Sequence, residues 1–175
     1  MNKRLLAVIF LTTILVLSIC ACGKTPSITP TIQPTTATPP TTILTAVTFP
    51  DANLETAIRE AIYKLEGPIY TPDLMSLTYL RPFNISDLTG LEYCLNLRKL
   101  NLESNNISDI SALAGLSNLE WLSLWDNNIS DISALIENAG FSDGDSVYLM
   151  DNPLSAESTN SYIPQLEARG IAVFY

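Results

Sequence analysis

The chain has 175 residues, with nine Lys plus Arg against eighteen Asp plus Glu and no histidine, for a formal net charge of −9. The absence of histidine excludes His-ligated metal hydrolysis and histidine-based catalytic triads. The acidic balance repels nucleic acid and offers no basic surface to an anionic membrane.

Lys3 and Arg4 precede an apolar run over residues 5–19, which is short for a membrane span and right for a signal-peptide core. The run ends in Ile19-Cys20-Ala21-Cys22-Gly23. This resembles a bacterial lipoprotein processing site, which implies a leader over residues 1–21 and lipid on Cys22. Ala21 supplies the small residue before the cut. Cys20 competes, but the bulky Ile19 precedes it. Ordinary secretion and an uncleaved signal anchor are the alternatives. Loss of Lys3 and Arg4 with the leader takes the formal −9 to −11. The expected location is extracytoplasmic, lipid-anchored to the cell membrane at the bacterial surface. Any membrane contact comes through the N-terminal lipid only.

Residues 22–46 are rich in Thr and Pro, with Pro26, Pro30, Pro34, Pro39 and Pro40. Such a segment buries no core and favours extended polyproline II, which at about 3.1 Å per residue makes a stalk on the order of 70 Å long. A passive linker is the plainer reading of the same composition. Within residues 47–175, 47–73 read as an N-terminal cap, 74–154 as repeats and 155–175 as a C-terminal cap. Residues 50–65 place Leu54, Ala57, Ile58, Ala61, Ile62 and Leu65 on one helical face. Asp51 or Asn53 caps the start, and Gly67-Pro68 stops the helix.

Residues 97–113 (LRKLNLESNNISDISAL) and 119–135 (LEWLSLWDNNISDISAL) nearly repeat each other, 22 residues apart. Matched pairs include Leu97 and Leu119, Leu100 and Leu122, Leu102 and Leu124, Asn105 and Asn127, and Ile107 and Ile129. A fixed short period of this kind marks a solenoid whose coils contact mainly their neighbours. The leucines of each L-x-L point inward and the residues between them outward, because strand side chains alternate. Asn105, Asn127 and Asn152 end their strands as a structural ladder, bonding backbone groups that the turn leaves unpaired. Val147-Tyr148-Leu149-Met150-Asp151-Asn152 restores the pattern after 25 residues, the extra three falling around 140–145. In the first coil, aligned through Ile85, Leu88 and Leu91, Phe83 takes the asparagine place and Thr78 that of a strand leucine. Residues 155–169 read as a helix containing Pro164, and 171–175 as a closing strand that covers the last coil.

The pattern L-x-x-L-x-L-x-x-N-x-I-x-x-I-x-x-L is that of leucine-rich repeats, and its N-x-I-S-D-I run resembles the short repeats of internalins. The resemblance implies an α/β solenoid of about four coils, with a parallel sheet on the concave face and a cap at each end. The helix near residue 50 is similar to the internalin N-terminal cap.

On that register the outward rows read Tyr79, Asn101, Ser123, Tyr148 and Arg81, Glu103, Trp125, Met150. Two further rows read Leu77, Lys99, Trp121, Ser146 and Arg98, Glu120, Asp145. Trp121 and Trp125, the only tryptophans, share one strand. Exposed clustered aromatics mark contact surfaces. With Tyr148, Met150 and Tyr79 they form the expected ligand-binding patch, edged by Lys99, Glu103, Asp126 and Asp151. The competing reading packs Trp121 over aliphatic stems and makes Arg81–Glu103 an ordinary cross-strand charge pair.

Other clusters read as structure. Ser86-Asp87, Ser108-Asp109 and Ser130-Asp131 recur at one place in each coil and serve turns or caps. Asp143-Gly144-Asp145 lacks the remaining ligands of a calcium loop and reads as a turn. Cys94 stands where the next coil has Leu116 and fills a small buried site. Glu103, Glu120 and Asp126 are the carboxylates a glycosidase would use, but a four-coil sheet has no deep pocket to raise the pKa of one. No metal and no cofactor is expected. The function read from the sequence is noncatalytic recognition of a protein or cell-wall glycan through the concave face, by a monomer. A structural envelope lipoprotein without a specific ligand is the alternative, ahead of a carboxylate glycosidase.

Overall fold

The structure, a computed structural model, describes residues 44–175. The expected signal peptide, Cys22 and nearly all of the stalk lie outside the described residues. No helix among the described residues is long and apolar enough to cross a membrane.

In chain order the elements are β1 (Ala46–Val47), α1 (Ala52–Ala61), β2 (Ile69–Tyr70), β3 (Tyr79–Leu80), β4 (Lys99–Asn101), β5 (Trp121–Ser123), α2 (Ser133–Glu137), β6 (Ser146–Tyr148), α3 (Ile163–Ala168) and β7 (Ala172–Phe174). β3 to β7 form one parallel sheet in chain order, and β1 pairs antiparallel with β2 beside it. Short 3-10 turns at Thr71–Ser76, Leu91–Tyr93 and Ser111–Leu113 return the chain. This is a leucine-rich-repeat solenoid.

The inward row Leu80, Leu100, Leu122, Val147, Val173 is paired strand by strand. Leu100, Leu122 and Val147 are wholly buried, with Ile107, Ile110, Ile129 and Ile132 closing the convex side of the core. Burial of each such side chain contributes about 1.5–3 kcal/mol. The three Asp residues of the Ser-Asp pairs close Asx turns, with Oδ1 accepting from the N–H of Thr89, Ser111 and Ser133 at 2.8 Å. They cap the convex turns of their coils.

The turns after β3, β4, β5 and β6 each hold a residue with left-handed backbone: Asn84, Ser104, Asp126 and Asp151, with φ between 54° and 58°. Short polar residues tolerate that conformation. The asparagine ladder follows at once. Asn127 Oδ1 accepts from Ile107 N–H at 3.0 Å, and its amide donates to the carbonyls of Leu102, Leu124 and Trp125 at 2.8, 3.0 and 3.2 Å. Asn105 makes the equivalent set with Ile85, Pro82, Leu102 and Glu103, its bond to Pro82 O being longer at 3.4 Å, and Asn152 with Ile129, Leu124, Leu149 and Met150.

The first coil departs from the sequence expectation. Tyr79 pairs with Lys99 and Leu80 with Leu100, a step of 20 residues. Yet Ile85 N–H bonds Asn105 Oδ1 just as Ile107 N–H bonds Asn127 Oδ1, a step of 22. Two residues are therefore missing from the turn after β3, and the asparagine is lost with them. Phe83 does not stand in its place. Leu77 and Leu80, both 3% exposed, are the inward leucines, and Thr78 is exposed.

The caps differ in detail too. α1 stops at Ala61, and Leu65 is exposed, not part of the buried face. Tyr63, at φ 55°, turns the chain away, while Lys64 N–H bonds Arg59 O at 3.0 Å. Asp51 joins α1 to the first coil. Its Oδ1 accepts from Asn53 and Leu54 N–H, and its Oδ2 from Ser86 and Asp87 N–H. Partial burial opposes ionisation of Asp51, but those four donors outweigh it and hold the carboxyl below its usual range. At the other end, Pro164 is the second residue of α3 and follows a π-turn at Ser158–Tyr162. In the first turn of α3 the N–H that proline lacks would have had no partner within that helix.

The long third coil uses α2 where its neighbour has a 3-10 turn. Buried Asn138 then donates to Leu113 O and Leu116 O at 2.8 and 3.1 Å. Gly140 lies so close to the preceding coil that a Cβ there would stand 2.0 Å from Ser117 O. Among the described residues no buried side-chain polar atom lacks a hydrogen-bond partner.

Candidate functional site

The corrected register rearranges the open face of the sheet. One outward row reads Tyr79, Lys99, Trp121, Ser146, Ala172. The next reads Asn101, Ser123, Tyr148, Phe174, with Arg81 at its N-terminal end by continuation of the β3 register. Tyr79 thus joins the Trp121 row instead of the Tyr148 row, and Lys99 stands between it and Trp121.

Trp121, Tyr148 and Phe174 form a continuous aromatic run across β5, β6 and β7. The Trp121 and Tyr148 rings lie 5.6 Å apart at 47°, and Tyr148 stacks on Phe174 at 4.6 Å and 9°. Such pairs are worth about 0.5–1.5 kcal/mol beyond the area they bury. Ser123 sits on an outward position yet is 5% exposed, so the larger side chains around it close over it. Trp121 is half-buried in this run, and Trp125 is 38% exposed. The Trp125 indole N–H donates to Asp151 Oδ2 at 2.6 Å, which fixes the ring. Met150 is half-buried.

The expected edge residues separate into two kinds. Lys99 is exposed, and Glu103 is half-buried with its N–H held by Asn101 Oδ1 at 3.0 Å. Asp126 occupies a left-handed turn and donates its N–H to Met150 O at 3.0 Å, so its backbone serves the coil. Arg81 does not pair with Glu103. Its guanidinium lies 5.2 Å over the Phe83 ring, and the cross-strand ion pair on the sheet is Arg98–Glu120. The Arg98 hydrogen bond holds the Glu120 carboxyl below its usual range. That shift runs opposite to what a general acid needs.

Phe174 was not among the candidates, although alternation along 171–175 carries the signal. Ile171 and Val173 point inward, so Ala172 and Phe174 point outward. Asn96 and Asn118 were missed as well. They form a second asparagine ladder, donating to Met75 O and Leu95 O at 2.7 and 2.8 Å. No group of acidic or cysteine side chains among the described residues is arranged to hold a metal ion.

The repeat array and its two caps define an internalin-like leucine-rich-repeat domain. Comparison with solved structures gives the likeness in particulars. An internalin, InlF of Listeria monocytogenes, is 34% identical, covering 66% of this chain and 34% of its own, with a TM-score of 0.58. The functional domain of InlJ from the same organism is 26% identical, covering 64% of this chain and 28% of its own, at a TM-score of 0.49. A structure of CBM51-2 in complex with GlcNAc and INT domains from Clostridium perfringens ZmpB is 33% identical. It covers 50% of this chain and 19% of its own, at a TM-score of 0.46. This chain spans about a third of the InlF chain. No family model matches the sequence, and no curated protein does.

Proposed function

We propose that this protein is a noncatalytic binding module displayed outside the cell, recognising a protein or a cell-wall glycan through its concave face. The observation that carries the reading is the outward run Trp121, Tyr148, Phe174 with Trp125 and Met150 beside it. Large aromatics anchored on a rigid sheet lose little conformational entropy on contact and dominate binding energetics. Lys99, Asn101 and Glu103 supply a polar margin. The lowered Glu120 carboxyl supports the noncatalytic reading. Residues 1–21 would direct export and Cys22 would carry the lipid, with 22–46 holding the domain away from the membrane.

The site is tested by intrinsic fluorescence of the full chain, since Trp121 and Trp125 are its only tryptophans. Acrylamide quenches Trp125 readily and Trp121 partially. A panel of cell-wall glycan fragments and surface proteins is then screened for a saturable change. Loss of that change in Trp121→Ala/Trp125→Ala supports the concave site, whereas a partner bound equally well by the double variant removes it. For the anchor, mass spectrometry of the membrane fraction finds lipid on Cys22, and Cys22→Ser releases the protein. Unlipidated wild type in the medium would refute the anchor alone.

A further inference from the structure

We infer that the open edge of β3, with the groove between it and α1, docks an extended polypeptide strand supplied by a partner protein. β3 is the first strand of the sheet and has a neighbour on one side only. Arg98 and Lys99 N–H both donate to Thr78 O, so Thr78 and Leu80 turn their backbone groups toward β4. In a parallel ladder alternate residues face opposite sides, which directs the N–H and C=O of Tyr79 and Arg81 to the open edge. Among the described residues no hydrogen bond is made by the Arg81 backbone.

The helix beyond that edge leaves room. α1 buries Leu54 and Ile58 in the core and turns Ala57, Glu60 and Ala61 toward β3. With Tyr79, Leu80 and Arg81 they line a shallow groove of about 290 Å³. The two alanines, one helical turn apart, make a small-residue wall against which a backbone can approach. Tyr79, 53% exposed, stands at the mouth, and the Arg81 guanidinium is engaged over the Phe83 ring at 5.2 Å.

These features select the occupant. The open edge offers backbone donors and acceptors on alternate residues, about 6.8 Å apart, and only another extended backbone matches that spacing. Of the added strand's alternate side chains that face the helix, those over the two alanines must be apolar. Glu60 is exposed and has no cationic partner among the described residues, so a lysine or arginine on the helix side is favoured. The docked run is short, since Pro82 follows Arg81. This groove lies at the opposite end of the sheet from Phe174, and it stands or falls separately from the concave aromatic run.

The test pans a random twelve-residue phage-displayed library on the full chain. The enriched peptides should alternate apolar residues and carry a basic one. Their affinity should fall at least about tenfold on Ala61→Phe, which fills the groove, and on Tyr79→Pro, which removes one edge donor while leaving the β4 bonds. Trp121→Ala should leave it unchanged. Circular dichroism checks that each variant folds, and either folded variant decides the matter. Hydrogen exchange at Tyr79 and Arg81 should slow at least about tenfold with peptide bound. No enrichment, or binders indifferent to both groove variants, overturns the inference. So does concentration-dependent protection of Tyr79 and Arg81 without peptide, which would mean a second copy occupies the edge.

Discussion

Replacing Asn127 by alanine removes four hydrogen bonds at the centre of the array. Ile107 N–H loses its acceptor, and the carbonyls of Leu102, Leu124 and Trp125 lose a donor. Asn127 is 6% exposed and Ile107 and Leu124 are wholly buried, so water cannot readily substitute. An orphaned buried group costs about 1–3 kcal/mol, and the Ile107 donor with one unrelieved carbonyl gives about 3 kcal/mol. Against a typical domain stability of roughly 5–15 kcal/mol, that shifts the urea midpoint strongly without unfolding the protein. Asn105 and Asn152 make equivalent bonds but are only half-buried, so their alanine variants should lose less. The assay is urea unfolding of all three variants, followed by circular dichroism with m-values compared. A loss below about 1 kcal/mol for Asn127→Ala, or a larger loss for Asn105→Ala, would refute the ladder argument.

Three further outcomes follow from single sites. Because the folded pKa of Asp51 lies below its unfolded value, its contribution is full above the unfolded carboxylate pKa and is lost as pH falls through the folded one. Acidification from neutrality should lower the melting temperature of the wild type more steeply than that of Asp51→Ala; parallel curves would remove Asp51 from the acid response. Gly90 has φ 97°, and a Cβ there would stand 2.6 Å from Thr48 O and the Phe49 ring. Gly90→Ala should destabilise by about 2 kcal/mol or more, read by chemical denaturation, with an unchanged midpoint counting against the close approach. Cys94 is wholly buried, and burial, helped by Glu92, pushes its thiol up to about 12. A thiol reagent at pH 8 should label it only in urea, and rapid labelling of the native protein would contradict the packing.

Much of the scaffold was legible because two coils are near copies. Leu100, Leu122, Asn105 and Asn127 fix the period, the inward face and the turn by residue type alone. The first coil was not, because its strand keeps a step of 20 and its convex side a step of 22, so an alignment anchored on Ile85 displaces Tyr79 and Arg81. The end of α1 was hidden for a similar reason. The helical face continues through Leu65 in the sequence, but Tyr63 adopts a left-handed backbone that no composition rule foretells. Of the aromatic face, Trp121 and Tyr148 were readable from alternation. Their partnership with Phe174 depends on β7 joining β6, a pairing between segments with no repeat signature.

The asparagine ladder has a direction. Asn105 accepts from Ile85, Asn127 from Ile107 and Asn152 from Ile129, so each asparagine secures the coil that precedes its own. The first coil needs no asparagine of its own and has lost it without penalty to the ladder. Damage at one rung therefore travels toward the N-terminus: in Asn127→Ala, amide exchange should open first at Ile107, with Ile129 still held by Asn152. The same polarity makes the 22-residue segment a self-contained cassette. A coil duplicated or removed as a whole always leaves an asparagine facing the isoleucine behind it, which lets such an array lengthen or shorten without redesign of its ends.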